Sequence, residues 1–260
     1  MQKYIDLMRI DLLTMKGDKN SMRSMLILLF VGSIAGEIFV SPMFGFIGML
    51  MVGGMIVATW YQSQSKCHTA KLFGLLPVSR KDIVAARFML FIGLFLAMSV
   101  VMYAFMELSL VLGIHKEIAG DMQAMLDKTG ADIDFGSACR LGFFVFFDFG
   151  MFLVAASLKG YFTAPAAYET AAGLGTATSK MNAKGALTAF VILITAIVLS
   201  LFFSGVIYLG TAGAVILQIF IQLFTAGGGI MFGLVMITLA GFSAYYNYLC
   251  TVIAYEDAEI

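Results

Sequence analysis

The stretch 71-KLFGLLPVSRKDIVAARF-88 lies between two long apolar runs and combines two properties that a short connector seldom needs together. It carries Lys71, Arg80, Lys81 and Arg87, and it also carries Phe73, Leu75, Leu76 and Val78. A solvated connector has no use for the leucines, and a membrane span does not tolerate the charges. Pro77 stops one local structure. Ser79 then precedes Arg80-Lys81-Asp82, which predicts a helix capped by Ser79 with Asp82 reaching back from its third position. That helix is expected to continue into a span, and residues 67–76 to form a short helix outside the bilayer. An exposed apolar patch rimmed by basic residues is a docking surface for another protein. The apolar anchors supply binding energy and the charges set orientation.

Working outward, the chain has 260 residues, of which 61% are hydrophobic and 12% charged. That charge share is about half the soluble average. One soluble core of this size does not hide so much apolar surface, so lipid is the solvent for most of the chain. Six runs reach the roughly 20 apolar residues that a transmembrane helix needs: about 22–41, 43–62, 86–113, 141–158, 186–209 and 230–254. The expected fold is all-α and polytopic. Residues 1–21 form an amphipathic interfacial helix and 22–260 a transmembrane domain, with an inner loop at 63–85 and an outer segment at 114–140. The run 212–224 is too short to span, and Gly227-Gly228-Gly229 follows it, so it is read as re-entrant or interfacial. A seventh span there would move the C-terminus to the other side.

Charge sets the orientation. With the N-terminus inside, the inner segments hold Lys3, Arg9, Lys16, Lys19 and Arg23, then Lys66, Lys71, Arg80, Lys81 and Arg87, then Lys159, Lys180 and Lys184. The outer segments hold only Lys116, Lys128 and Arg140 of the 16 basic residues. The positive-inside rule then places both termini in the cytoplasm of a cell-membrane protein. In the N-terminal lead, Ile5, Met8, Leu12 and Met15 share one helical face and Asp6, Arg9 and Lys16 another. Such a helix lies along the inner membrane surface, or packs on another subunit. No cleavable signal sequence is expected, since no A-x-A site follows the first apolar run.

Catalytic and metal motifs are missing from the sequence. GLGTATSK at 173–180 lacks the Gly-Lys-Ser/Thr unit that cradles phosphates. There is no HExxH and no GxSxG. Cys67, Cys139 and Cys250 are widely spaced, and His68 and His115 are the two histidines, so no disulfide framework or metal cluster is indicated. The basic residues are few and border apolar runs, which does not describe a nucleic-acid binder. Three ionisable residues fall within spans and are functional candidates for that reason. Glu37 and Glu107 lie near outer ends, close enough to reach water. Asp148, in FFVFFDFGMF, is the costly one and is expected to face the protein interior, bonded to a hydroxyl or protonated. Gly32 to Gly36 and Gly229 to Gly233 are small-xxx-small patterns that permit close helix approach.

The run LPVSRKDIV (76–84), with a basic stretch before it and a span after it, resembles the signature of type-2 ABC exporter permeases, in particular small single-domain permeases whose ATPase is a separate chain. The amphipathic lead ending in DLLTMK, the tight first hairpin and the broken segment before the last span are similar in layout. Gln62, Gln64 and Lys66 stand where such permeases often carry acids. The resemblance implies that the 63–85 loop is a coupling helix seated in a groove of the ATPase. Phe73, Leu75 and Leu76 would be its anchors, Lys71, Arg80 and Lys81 would pair with acids on the ATPase, and Pro77 and Ser79 would set the angle into the third span. It implies an exporter without catalytic residues of its own, with ATP and Mg bound by the partner. A second permease copy or a related permease would complete the path, and the substrate would be an amphipathic peptide, lipid or drug. The alternative of a different class is an ion-gradient-driven transporter or channel-like protein using Asp148, Glu37 and Glu107. An inverted repeat would favour it, and none is seen.

Overall fold

The computed structural model describes residues 2–17, 21–42, 44–67, 78–116, 119–120, 123–124, 134–163 and 230–257. They form six helices: α1 (Gln2–Gly17), α2 (Ser21–Phe39), α3 (Phe44–Cys67), α4 (Arg80–Leu112), α5 (Phe135–Thr163) and α6 (Ile230–Asp257). The windows Phe44–Tyr61, Arg80–Leu112, Phe135–Thr163 and Phe232–Tyr255 are each long and apolar enough to cross a membrane, and Leu26–Phe39 is a shorter apolar run. The expected span at 186–209 and the expected re-entrant stretch at 212–224 lie outside the described residues. Residues 119–120 and 123–124, within the outer segment 114–140, are helical.

Local chemistry explains the helix ends. Ser79 is extended and its side chain accepts from the Asp82 backbone N–H at 3.2 Å, as a capping residue does. Gly113, at φ +60°, ends α4 in the left-handed conformation that glycine adopts without strain, and its N–H bonds to the Leu110 carbonyl at 3.1 Å. Between α2 and α3 the chain turns at Ser41-Pro42, where both Val40 and Ser41 donate to the Gly36 carbonyl. Side-chain hydroxyls within the helices are satisfied locally: Ser33, Thr59, Ser99, Thr238 and Thr251 each donate to the carbonyl four residues earlier. Thr59, Ser99 and Thr251 are buried in the bundle, and an apolar interior, like lipid, offers a hydroxyl no better acceptor.

The helices approach closely because small residues face large ones. A side chain at Gly45 would overlap the Glu37 carboxyl, one at Gly48 would overlap Ser33, and one at Gly36 would meet the Phe44 ring, so α2 and α3 form a tight hairpin. Of the small-xxx-small pair on α2, Gly36 is used in this way and Gly32 faces open space. On α5, Gly142 admits the Phe46 ring and Gly150 the Phe95 ring, while Phe46 stacks on Phe146 with centroids 5.3 Å apart. The two backbones nearly touch at Gly53, where a Cβ would sit 2.8 Å from the Gly150 carbonyl oxygen. Gly53→Ala is therefore expected to destabilise the bundle by about 1–3 kcal/mol through overpacking. Neighbouring Gly54→Ala, with nothing within 4 Å, is expected to be neutral or slightly stabilising; thermal unfolding in detergent checks the contrast.

Helix directions follow from these contacts. Leu141 of α5 clusters with Phe232 of α6, and Phe162 meets Tyr255 with centroids 5.1 Å apart, so α5 and α6 run parallel. One end of the bundle gathers α1, the last turns of α3, α5 and α6, and the first turns of α4. The opposite end gathers the α2–α3 turn, the end of α4 and the start of α5.

Candidate functional site

The first turn of α4 lies immediately after the segment 68–77, and it is tied down on two sides. On one side, Lys3 and Tyr4 of α1 donate to the Asp82 carboxylate, Tyr4 at 2.8 Å, and the Ser79 hydroxyl donates to the same group. A helix of 33 residues is roughly 50 Å long, well beyond the ~30 Å hydrocarbon layer. Its charged first turn, including Asp82, therefore lies outside the span. Hydrogen bonds from Lys3, Ser79 and Tyr4 hold the Asp82 carboxyl well below the usual carboxylate range. In turn, the hydrogen bond to Asp82 and its negative charge raise the Tyr4 hydroxyl above the ordinary phenol value. On the other side, Arg80 donates to the Tyr255 carbonyl at 3.1 Å and lies 5.6 Å from the Tyr255 ring centroid. The start of α4 is thus joined to the N-terminal helix and to the end of α6.

Two turns further on is a buried ionic node. Arg87 of α4 pairs with Asp11 of α1, Nε to Oδ2 at 3.4 Å, with side chains 4% and 1% exposed. The other Asp11 oxygen accepts from the Trp60 indole N–H at 3.2 Å. The guanidinium lies 4.6 Å from the Trp60 ring and within 5.5 Å of the Tyr161 and Phe162 rings. Trp60 also packs on Phe91 and Tyr161, with centroids 5.1 and 4.8 Å apart. Four elements, α1, α3, α4 and α5, meet at this one charge. Aromatic faces attract a guanidinium electrostatically, most strongly when water is excluded. The node ties the outlying helix α1 into the core: Leu7 and Asp11 are buried, with Tyr4, Met8 and Ile10 packed beside them. Ile5, Leu12 and Leu13 are exposed on α1, so the apolar face expected from Ile5, Met8 and Leu12 is divided between the bundle and the outside.

The structure thus brings Ser79, Arg80 and Lys81 together on the first turn of α4, with Lys81 exposed. Lys71, Phe73, Leu75, Leu76 and Pro77 lie outside the described residues. Sequence reading passed over Lys3, Tyr4, Asp11, Trp60, Arg87 and Tyr255 as partners. A faint signal existed for two of them. Asp11 is a lone acid on the stripe of Tyr4, Leu7 and Met8, and Arg87 sits four residues into the apolar run that begins at Ile83.

The three acids within spans have three different surroundings. Glu37 does not reach water, contrary to expectation. It is fully buried, and neither carboxyl oxygen has a hydrogen-bond partner among the described residues. The tertiary reason is that the carboxyl packs on Gly45 of the neighbouring helix, while Ser109 and His115 close over the Glu37 backbone carbonyl at 3.1 and 2.9 Å. A carbonyl only accepts, so His115 donates from Nε2. Glu107 is half-buried and takes a two-pronged bond from Arg140, at 2.6 and 2.9 Å, the strong geometry for a guanidinium and a carboxylate. Asp148 stands near the middle of α5, half-buried, and has no hydrogen bond or ion pair among the described residues, so none of their hydroxyls is the expected partner. It lines a groove with Phe149, Phe152 and Ser243. No group of three or more metal-ligating side chains occurs among the described residues.

Apolar helices of membrane-crossing length, joined by polar links at both ends of the bundle, are the layout of a polytopic membrane protein. A family model described as "ABC-2 family transporter protein" matches residues 6–209 of the 260. No curated protein and no solved structure matches the chain. The matched stretch takes in most of α1, all of α2 to α5, the first turn of α4 and the buried node, and by it the chain belongs to the ABC-2 family of transporter proteins.

Proposed function

We propose that this chain is the transmembrane subunit of an ATP-driven exporter, and that a separate ATPase drives it through the 63–85 loop. The observation that carries the reading is the anchoring of α4: a Ser79-capped helix starts at Arg80, within the 63–85 stretch, and is tied at its first turn to α1 and α6. A push on the loop enters a stiff helix of 33 residues, and the Asp11–Arg87–Trp60 node spreads it to α3 and α5. In this mechanism ATP and Mg bind the partner, closure of two ATPases moves the loops of two permease copies, and α4 acts as a lever that opens a path outward. Phe73, Leu75 and Leu76 anchor the loop in the ATPase, and Lys71, Arg80 and Lys81 orient it. Arg80 holds Tyr255 at the same time, so ATPase docking and the position of α6 are linked through one side chain.

Lys3, Arg9, Arg80 and Lys81 gather at one end of the bundle, which supports a cytoplasmic assignment for that end. The parallel run of α5 and α6 supports an odd number of crossings between residues 163 and 230, which one span at 186–209 supplies. Both termini then face the cytoplasm.

The test is isolation of the tagged chain from its native host in mild detergent, with mass spectrometry of what accompanies it. The expected result is a stoichiometric ATPase carrying Walker motifs, with a second permease copy or a related permease. A folded chain that brings no ATPase would overturn the exporter reading.

A further inference from the structure

Four acids of the helices, Asp11, Glu37, Asp82 and Glu107, have a partner or are closed off. Asp11 has Arg87 and Trp60, Asp82 has Lys3, Tyr4 and Ser79, and Glu107 has Arg140. Glu37 is sealed against Gly45 with no space beside it. Asp148 differs. It stands near the midpoint of a membrane-length helix, lacks a protein partner among the described residues, and opens on a groove of about 290 Å³. Beside it the chain supplies Phe149 and Phe152 from α5 and the hydroxyl of Ser243 from α6. A carboxylate at that depth needs a compensating charge or a proton. Aromatic faces attract cations, and among the described residues that line the groove none is an arginine or lysine.

We propose that Asp148, Phe149, Phe152 and Ser243 form a binding site for the cationic head of an amphipathic substrate, such as an amine or quaternary ammonium with an alkyl or aryl tail. Asp148 neutralises the charge, the two rings flank it, and Ser243 offers an acceptor to any N–H. The volume is at the small end for a ligand site, so it holds a head group while the tail stays in the lipid. Exposed Phe152 and Phe242 extend the apolar surface that a tail would follow. This names the substrate class of the exporter proposed above and rests on that reading, but its test does not involve the ATPase.

The experiment measures binding to the purified full chain in uncharged maltoside micelles, which contain no amine. The probes are a dansyl-labelled alkyl trimethylammonium and the uncharged acetamide of the same chain length. Saturable binding is expected for the cation, weakened about tenfold or more by Asp148→Asn, which corresponds to about 1.4 kcal/mol. The neutral probe should change by less than about twofold, since the lost term is charge attraction. Asp148→Glu should retain the cation, and Phe152→Ala should weaken it. Trp60, the single tryptophan, is fully buried, so its emission before probe addition reports whether each variant is folded. Equal binding of the two probes, or an unchanged cation affinity in a folded Asp148→Asn chain, overturns the proposal. If the Asn variant does not fold, the wild-type chain decides. The cation should protect residue 148 from labelling by a hydrophobic carbodiimide, read by peptide mass spectrometry, and absence of protection overturns the proposal. Phosphatidylethanolamine added to the micelles separates the two sources of such a head group. Competition by it at low mole fraction marks a lipid-amine site and overturns the substrate assignment, whereas an unaffected cation supports it. A positive result without an ATPase partner would leave the site standing and remove only the exporter reading.

Discussion

Arg87→Ala is expected to destabilise the protein by about 3–5 kcal/mol, because it leaves Asp11 buried without its cation. Asp11 is fully enclosed and its other oxygen is already committed to Trp60, so water does not readily replace the guanidinium. The loss is not the worth of the pair. Replacing both Arg87 and Asp11 with apolar residues of similar size should recover much of it, since a buried ion pair gives little net stability over good packing. Unfolding in denaturant-titrated micelles for the two single variants and the double variant checks this. Coupling between the sites of less than about 0.5 kcal/mol would show that they act independently. A second readout separates stability from attachment: proteolysis near Gly17 should accelerate in Arg87→Ala, because α1 then loses its ion pair to α4, although the Asp11–Trp60 bond and the Lys3 and Tyr4 contacts to Asp82 stay.

Trp60→Ala is expected to cost about 3–5 kcal/mol, the range for emptying a large aromatic from a packed core. Three losses coincide: the ring contacts with Phe91 and Tyr161, the indole bond to Asp11, and the face beneath Arg87. Trp60→Phe separates them, because it retains an aromatic face and removes the N–H donor. It should cost roughly 1–3 kcal/mol, the penalty for removing one donor from a buried carboxylate plus some lost volume. Equal losses for the two variants would mean that ring packing and cation attraction contribute little there.

These two predictions concern residues that sequence reading left unassigned, and the reason is physical. The Ser79 cap was legible because a Ser-x-x-Asp spacing is local and its bonds close within one turn. Spans were legible because hydropathy is local too, and α3, α4, α5 and α6 cover the expected runs. Arg87 was counted as one more basic residue of an inner loop. Its acid lies 76 positions away, on a helix that was expected to rest on the membrane and not to insert a side chain into the core. Glu107 and Arg140 are likewise 33 positions apart, on helices whose relative rotation is set by the small-residue contacts of α3 with α5. Glu37 was placed near water by its position along the helix, whereas its burial depends on Gly45, Ser109 and His115, each brought in by tertiary packing.

In the proposed mechanism, force enters through the loop ahead of α4. The most direct measurement is the ratio of ATPase to permease in complexes purified from cells expressing Phe73→Ala with Leu76→Ala, beside the unmodified chain. Removing two apolar anchors from the middle of an interface typically costs more than 2 kcal/mol, so the ratio is expected to fall about tenfold or more. Trp60 emission should stay native and membrane insertion should be unchanged. A folded, inserted double variant that retains its ATPase at the unmodified ratio would contradict the account.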